Sequence, residues 1–160
     1  MKSYLNDIIA HTSGLGFFDL VKVTGTEEET SINAIAQDKS VILSGKFKVP
    51  NSQFSGVFGM PNLAKLNTIV GFSEYDEDAK ITVTYRGADK VADTIHFETK
   101  NGDFVNDYRL MSKELAEERV KSVTYKGTGW DVEFEPHQTN IQRLKKQAQA
   151  NNEETTFTTK

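Results

Sequence analysis

The chain contains no cysteine, which removes disulfides, thiolate metal sites and cysteine nucleophiles together. Three prolines and eleven glycines in 160 residues exclude collagen-like and Pro-rich linker compositions. Uninterrupted apolar runs extend over a few residues only, far short of the roughly 20 that a membrane-spanning helix needs. The amino terminus, MKSYLNDIIA, sets Asn6 and Asp7 where a secretory signal requires apolar residues. What is present is core-forming: 37% hydrophobic residues, with ten Phe and five Tyr, rule out wholesale disorder. Lys and Arg number 19 against 23 Asp and Glu, a formal net charge of −4. The expectation is a soluble, cytoplasmic globular protein of one domain, or of one domain and part of another.

Hydrophobic spacing orders the elements. Leu5, Ile8, Ile9 and Thr12 recur at helical intervals, with Ser3 as N-cap and Gly14 as stop. The period then changes to two. Phe18 and Leu20 alternate against Val21 and Val23, and Ile32, Ala34 and Ala36 follow an acidic turn. Val41, Leu43, Phe47 and Val49 share a face, with Gly45 as an expected bulge. A second helix is predicted to start at Pro61, with Leu63, Leu66, Ile69 and Val70 inward and Gly71 as its end. The acidic run from Glu74 to Asp78 reads as a surface turn before the strand KITVTYR.

Asn101-Gly102 between DTIHFETK and DFVNDYRL predicts a hairpin closed by a type I′ turn. Its register sets Lys100 opposite Asp103 and His96 opposite Asp107, with Ile95, Phe97, Phe104 and Tyr108 on one face. Ser112 is placed to cap a short charged helix through Arg119, with Glu114 in its first turn. Strand-like SVTYKG and DVEFE flank Gly127-Thr128-Gly129. A further helix is predicted from near Pro136 to Asn151 or Asn152, with Ile141, Leu144 and Ala148 inward.

Little catalytic or metal chemistry emerges. His11, His96 and His137 have no ligand partner at helical or strand spacing, so no metal or other cofactor is expected. Glu74–Asp78 lacks the alternation, glycine and closing glutamate of a calcium loop. Gly14-Leu15-Gly16 follows a helix and has Asp19 where a dinucleotide fingerprint needs its third glycine. Ser44-Gly45-Lys46 lacks the upstream glycine of a P-loop. The pair His96 and Asp107 has no nucleophile elbow or oxyanion motif beside it. No residue is therefore assigned a catalytic role, and Trp130 is read as a packing anchor.

Charge placement is more informative. PHQTNIQRLKKQAQA carries Arg143, Lys145 and Lys146 with no acidic residue. Gln142, Lys145, Lys146 and Gln149 are expected opposite its apolar stripe, where they can meet phosphates without reading bases. The second helix likewise presents Asn62, Lys65 and Asn67 without acids. Two acid-free helical faces in an acidic chain point to a polyanion-facing surface.

The element order and three segments carry a resemblance. MKSYLNDIIAHTSGLGFF, FSGVFGMPNLAKLNTIVGFSEYDEDAKITV and DVEFEPHQTNIQRLKKQAQANNEETTFTTK resemble the DNA polymerase sliding clamps, in particular those of T-even-type bacteriophages. The middle segment is similar to that family's strand, short helix, acidic turn and return strand, and the last to the opening of a second clamp domain.

The resemblance implies an α+β, DNA-clamp-like fold of antiparallel sheets with helices packed on one face. A first domain is expected over 1–127, and the start of a second, incomplete one over 128–160, leaving Ile141 and Leu144 exposed. It implies a subunit that self-associates into a ring around double-stranded DNA, served by a clamp loader and tethering the DNA polymerase. Helices would line the hole, with Lys2, Lys65, Arg143, Lys145 and Lys146 facing DNA through weak phosphate contacts. The alternative from another class is a phage structural or assembly protein with a β-rich interaction module, and more distantly a hydrolase built on His96 and Asp107.

Overall fold

The computed structural model describes residues 1–76, 78–121, 127, 129, 135 and 137–153. Apart from Gly127 and Glu135, the segments SVTYKG, DVEFE and TTFTTK in which strands are expected lie outside the described residues, together with Thr128, Trp130 and Pro136. The chain divides into two compact units, Met1–Thr124 and Tyr125–Lys160.

The first unit is α+β with antiparallel sheets. Helix α1 (Lys2–His11) leads into a meander of β1 (Leu20–Gly25), β2 (Thr30–Ile35) and β3 (Ile42–Lys46). Strand β4 (Gly56–Pro61) returns to pair with β1, giving the order β3-β2-β1-β4. Helix α2 (Leu63–Val70) then precedes β5 (Lys80–Arg86), β6 (Val91–Glu98) and β7 (Val105–Arg109), a second meander in the order β5-β6-β7. Helix α3 (Lys113–Arg119) follows. A helix followed by three consecutive antiparallel strands thus occurs twice.

Alternation explains which side of each strand is buried. Val21 and Val23 on β1, Ile32 and Ala34 on β2, and Phe58 and Met60 on β4 share the core with Leu5 and Ile8 of α1 and Leu63 and Leu66 of α2. Burying one such aliphatic side chain is worth about 1.5–3 kcal/mol, so this face rather than local propensity holds the unit together. Tyr4 packs against Phe47 in a tilted ring contact with centroids 5.2 Å apart, which sets α1 over the β3 side of the sheet. Gly25 is indispensable here: a Cβ at that position would fall 1.5 Å from the Phe54 carbonyl oxygen.

Several boundaries differ from the sequence expectation. Pro61 does not open α2; it pairs with Leu20 as the last residue of β4. Asn62, in left-handed backbone at φ 54°, is the N-cap, and its side chain accepts the Lys65 N–H at 3.1 Å. α1 starts after Met1, not after Ser3, and ends at His11. A short 3₁₀ turn then runs to Leu15, and Gly16, not Gly14, supplies the left-handed residue at φ 82°. Gly45 forms no bulge, because β2 and β3 pair in unbroken register; its missing side chain makes room for Ile32, whose Cγ1 would lie 3.3 Å from a Cβ there.

The expectation of helices on one face holds for α1 and α2 only. Gly59 alternates with the core residues Phe58 and Met60, and a Cβ on it would lie 3.2 Å from that of Ala116. α3 therefore packs on the opposite face of the sheet, over β4. A paired bridge between Gly59 and Met111 brings the chain there.

The hairpin register is as expected, with His96 opposite Asp107 and Ile95 opposite Tyr108. The turn is not type I′. Gly102 N–H donates to the Thr99 carbonyl at 3.0 Å, and Gly102 alone has positive φ, so a longer loop closes the hairpin. Lys100 pairs with Asp78 at 2.8 Å, while Asp103 accepts the Thr99 hydroxyl at 2.6 Å.

The acidic turn is more than surface. Tyr75 within it is fully buried, and its ring packs against Phe72, Phe97 and Phe104. Burial, reinforced by the Asp19 charge, pushes the Tyr108 phenol well above the ordinary tyrosine range, and its hydroxyl donates to the Pro61 carbonyl.

In the second unit, α4 (Gln138–Ala150) is exposed along its whole length. His137 caps it by accepting the Thr139 N–H at 3.3 Å, and Asn151 closes it by donating to the Gln147 carbonyl at 2.9 Å.

Candidate nucleic-acid interface

Five cations were expected to face DNA, and the fold treats them differently. Lys2 is half-buried at the start of α1, and its ammonium donates to the main-chain carbonyl of Tyr75. That bond ties α1 to the acidic turn and occupies the charge inside the first unit. Lys65 lies in the first turn of α2 and is exposed. Among the described residues it forms no ion pair.

α1 and α2 pack side by side, and their exposed residues are small or polar. Asn6 and Ala10 contribute from α1, and Ala64, Asn67 and Thr68 from α2. Asp7 is the acidic exception, with His11 Nδ1 3.3 Å from its carboxylate and 2.8 Å from its carbonyl oxygen. The combined face is thus nearly uncharged, with Lys65 as its one lysine. It can approach a phosphate backbone without repulsion but offers little attraction of its own.

α4 gathers the other three cations. Arg143, Lys145 and Lys146 are all exposed, and no acidic residue interrupts the helix. Arg143 and Lys146 stand three residues apart and so share one face. Lys145 follows Ile141 by four residues, which moves it from the polar side expected for it to the flank of the apolar stripe. Ile141 and Leu144, expected inward from their helical spacing and exposed only through the resemblance to an incomplete second domain, are 44% and 47% exposed. The structure therefore brings Arg143, Lys145 and Lys146 onto one helix, whereas Lys2 and Lys65 belong to the other unit.

His96 and Asp107 do meet, with Nδ1 2.7 Å from the carboxylate. Nε2, the nitrogen a nucleophile would have to reach, faces Glu98 at 3.7 Å. With Lys80 3.9 Å from Glu98, the cluster forms a ladder of polar cross-strand contacts across the outer face of the second sheet. Among the described residues no group of histidines and carboxylates is arranged to hold a metal ion, and no helix is long and apolar enough to cross a membrane.

Reading the sequence alone misses the inward role of Lys2, because its acceptor is a main-chain carbonyl that carries no side-chain signature. Tyr75 did leave a signal: an aromatic residue inside an acidic run. No protein-family model matches the chain, and comparison with curated proteins finds no match.

Proposed function

We propose that the chain is a sliding-clamp-like processivity factor: a ring subunit that encircles duplex DNA and tethers a replicative DNA polymerase. The observation that carries this reading is α4, an exposed helix with Arg143, Lys145 and Lys146 and no acid, in a chain of net charge −4. Such a face meets phosphate oxygens, while the negative remainder repels DNA from other surfaces. A ring holds DNA by topology, so a few sequence-independent contacts suffice, and Lys65 on the nearly neutral α1–α2 face adds one.

The doubled helix-plus-three-strand unit supports the same reading. A wall that curves around a duplex is most simply built from repeated modules, each turning a helix inward and a sheet outward. No residue performs chemistry in this scheme. The partners are double-stranded DNA, the polymerase, a clamp loader and further copies of the chain.

The test is primer extension on a circular template with the cognate replicative polymerase. The protein should lengthen the products made per binding event, and linearising the template should abolish the effect by letting the ring slide off. Equal stimulation on circular and linear templates would reject encirclement.

A further inference from the structure

The free edge of the four-stranded sheet carries an inference independent of the DNA reading. β3 closes one end of the order β3-β2-β1-β4. Ala36 N–H donates to the Val41 carbonyl and Phe47 N–H to the Thr30 carbonyl, each at 2.9 Å. Antiparallel alternation between these two bonds commits the backbone of odd-numbered residues to β2. The N–H and C=O groups of Ile42, Ser44 and Lys46 therefore point away from the sheet. No bulge or proline interrupts this run, and among the described residues no second strand pairs with its outer side.

The two sides of the edge differ in chemistry. Between α1 and β3 opens a cleft of about 620 Å³ with apolar walls from Tyr4, Leu43, Phe47 and Val49, and with Asp7 and His11 of α1 on its helix side. Gly45 leaves its floor to Ile32. On the other side stand Ile42, Ser44, Lys46 and Lys48, all exposed, in a segment from Ser40 to Pro50 with no acidic residue. Lys46 contacts Glu29 at 2.6 Å, whereas Lys48 forms no ion pair among the described residues.

We propose that the β3 edge docks an extended segment of a partner protein in which apolar and acidic residues alternate. Adding a strand satisfies the outward backbone groups, and the two-residue period sorts the side chains. Apolar ones enter the cleft beside α1, and acidic ones pass to the side of Lys46 and Lys48. A second copy of β3 fits poorly, since it brings its own two lysines against these.

Fluorescence anisotropy with a labelled peptide of about nine residues, alternating Glu with Val or Phe, tests this. The Glu peptide should bind roughly ten-fold more tightly than the same peptide with Lys for Glu. N-methylation of alternate peptide amides should cost a similar factor, and hydrogen exchange at the Ser44 and Lys46 amides should slow in the complex. Lys48→Glu should reverse the preference between the two peptides. Ser44→Pro removes one outward N–H without removing a ladder donor, and should weaken binding while the protein stays folded.

Equal affinity for the two peptides would overturn the proposal, as would binding without altered exchange at Ser44 and Lys46. Concentration-dependent protection of these amides without peptide, with a matching shift in sedimentation, would assign the edge to a second copy and also overturn it.

Discussion

Asn106 on β7 donates its side-chain amide to the phenol oxygen of Tyr75 across 2.8 Å. Asn106 sits opposite Phe97 on the inward face of the hairpin, where alternation would otherwise place an apolar residue. The polar side chain is there because the neighbouring turn delivers a hydroxyl to it. Tyr75 lets Asp76 and Asp78 stay in water while its ring fastens the turn to the second sheet.

Removing that ring should be costly. Tyr75→Ala is expected to lose about 3–5 kcal/mol in urea unfolding, the range for deleting a buried aromatic. Tyr75→Phe keeps the packing, and the partly exposed Asn106 can turn to water, so about 1 kcal/mol should be lost. Similar losses for both variants would contradict the packing role assigned to the ring.

Tyr108 predicts sensitivity to alkali. Its folded-state pKa is raised by burial first and by the Asp19 charge second. A raised pKa means the unfolded chain loses the proton first, so this contribution is complete below the ordinary tyrosine value of about 10 and is lost as pH rises above it. Stability measured from pH 9 to about 11.5 should fall more steeply for the parent than for Tyr108→Phe. That variant should also be less stable at neutral pH by about 1–3 kcal/mol, since the Pro61 carbonyl loses its donor.

Gly25→Ala should be among the most damaging single-methyl additions in the chain. The new Cβ would overlap the Phe54 carbonyl oxygen, a main-chain atom that cannot swing aside as a side chain can. A loss of about 1–3 kcal/mol or more is expected, seen as a lower melting temperature. Gly45→Ala meets only the flexible Ile32 side chain and should cost less. The reverse ranking would contradict the close approach at Gly25.

The cations should separate by role. Replacing Lys145 and Lys146 by Glu should weaken retention on circular DNA at moderate salt, by similar amounts for unrelated sequences, because phosphate contacts carry no base information. Their exposure predicts a stability change of only a few tenths of a kcal/mol, roughly. Lys2→Met should behave oppositely, lowering the melting temperature through loss of the bond to the Tyr75 carbonyl while DNA retention stays the same. If Lys2→Met impaired retention as much as the double variant, the inward assignment of Lys2 would fail.

The amino-acid sequence by itself determined what depends on near neighbours. Helical spacing of Leu5, Ile8 and Ile9 located α1, and two-residue alternation placed the faces of β1, β2 and the β6–β7 hairpin. The hairpin register followed because a short loop leaves few ways to match two alternating strands. The absence of acids along α4 was equally legible, being a property of composition. Tertiary structure alone decided the rest. Whether Pro61 ends a strand or begins a helix depends on its pairing with Leu20, forty-one positions away in sequence. Lys2 turns inward because a carbonyl more than seventy residues later waits for it, and α3 crosses to the other face because Gly59 leaves a gap the size of Ala116. Period and propensity act over a turn or two of chain, whereas burial and hydrogen bonding act across whatever the fold brings together.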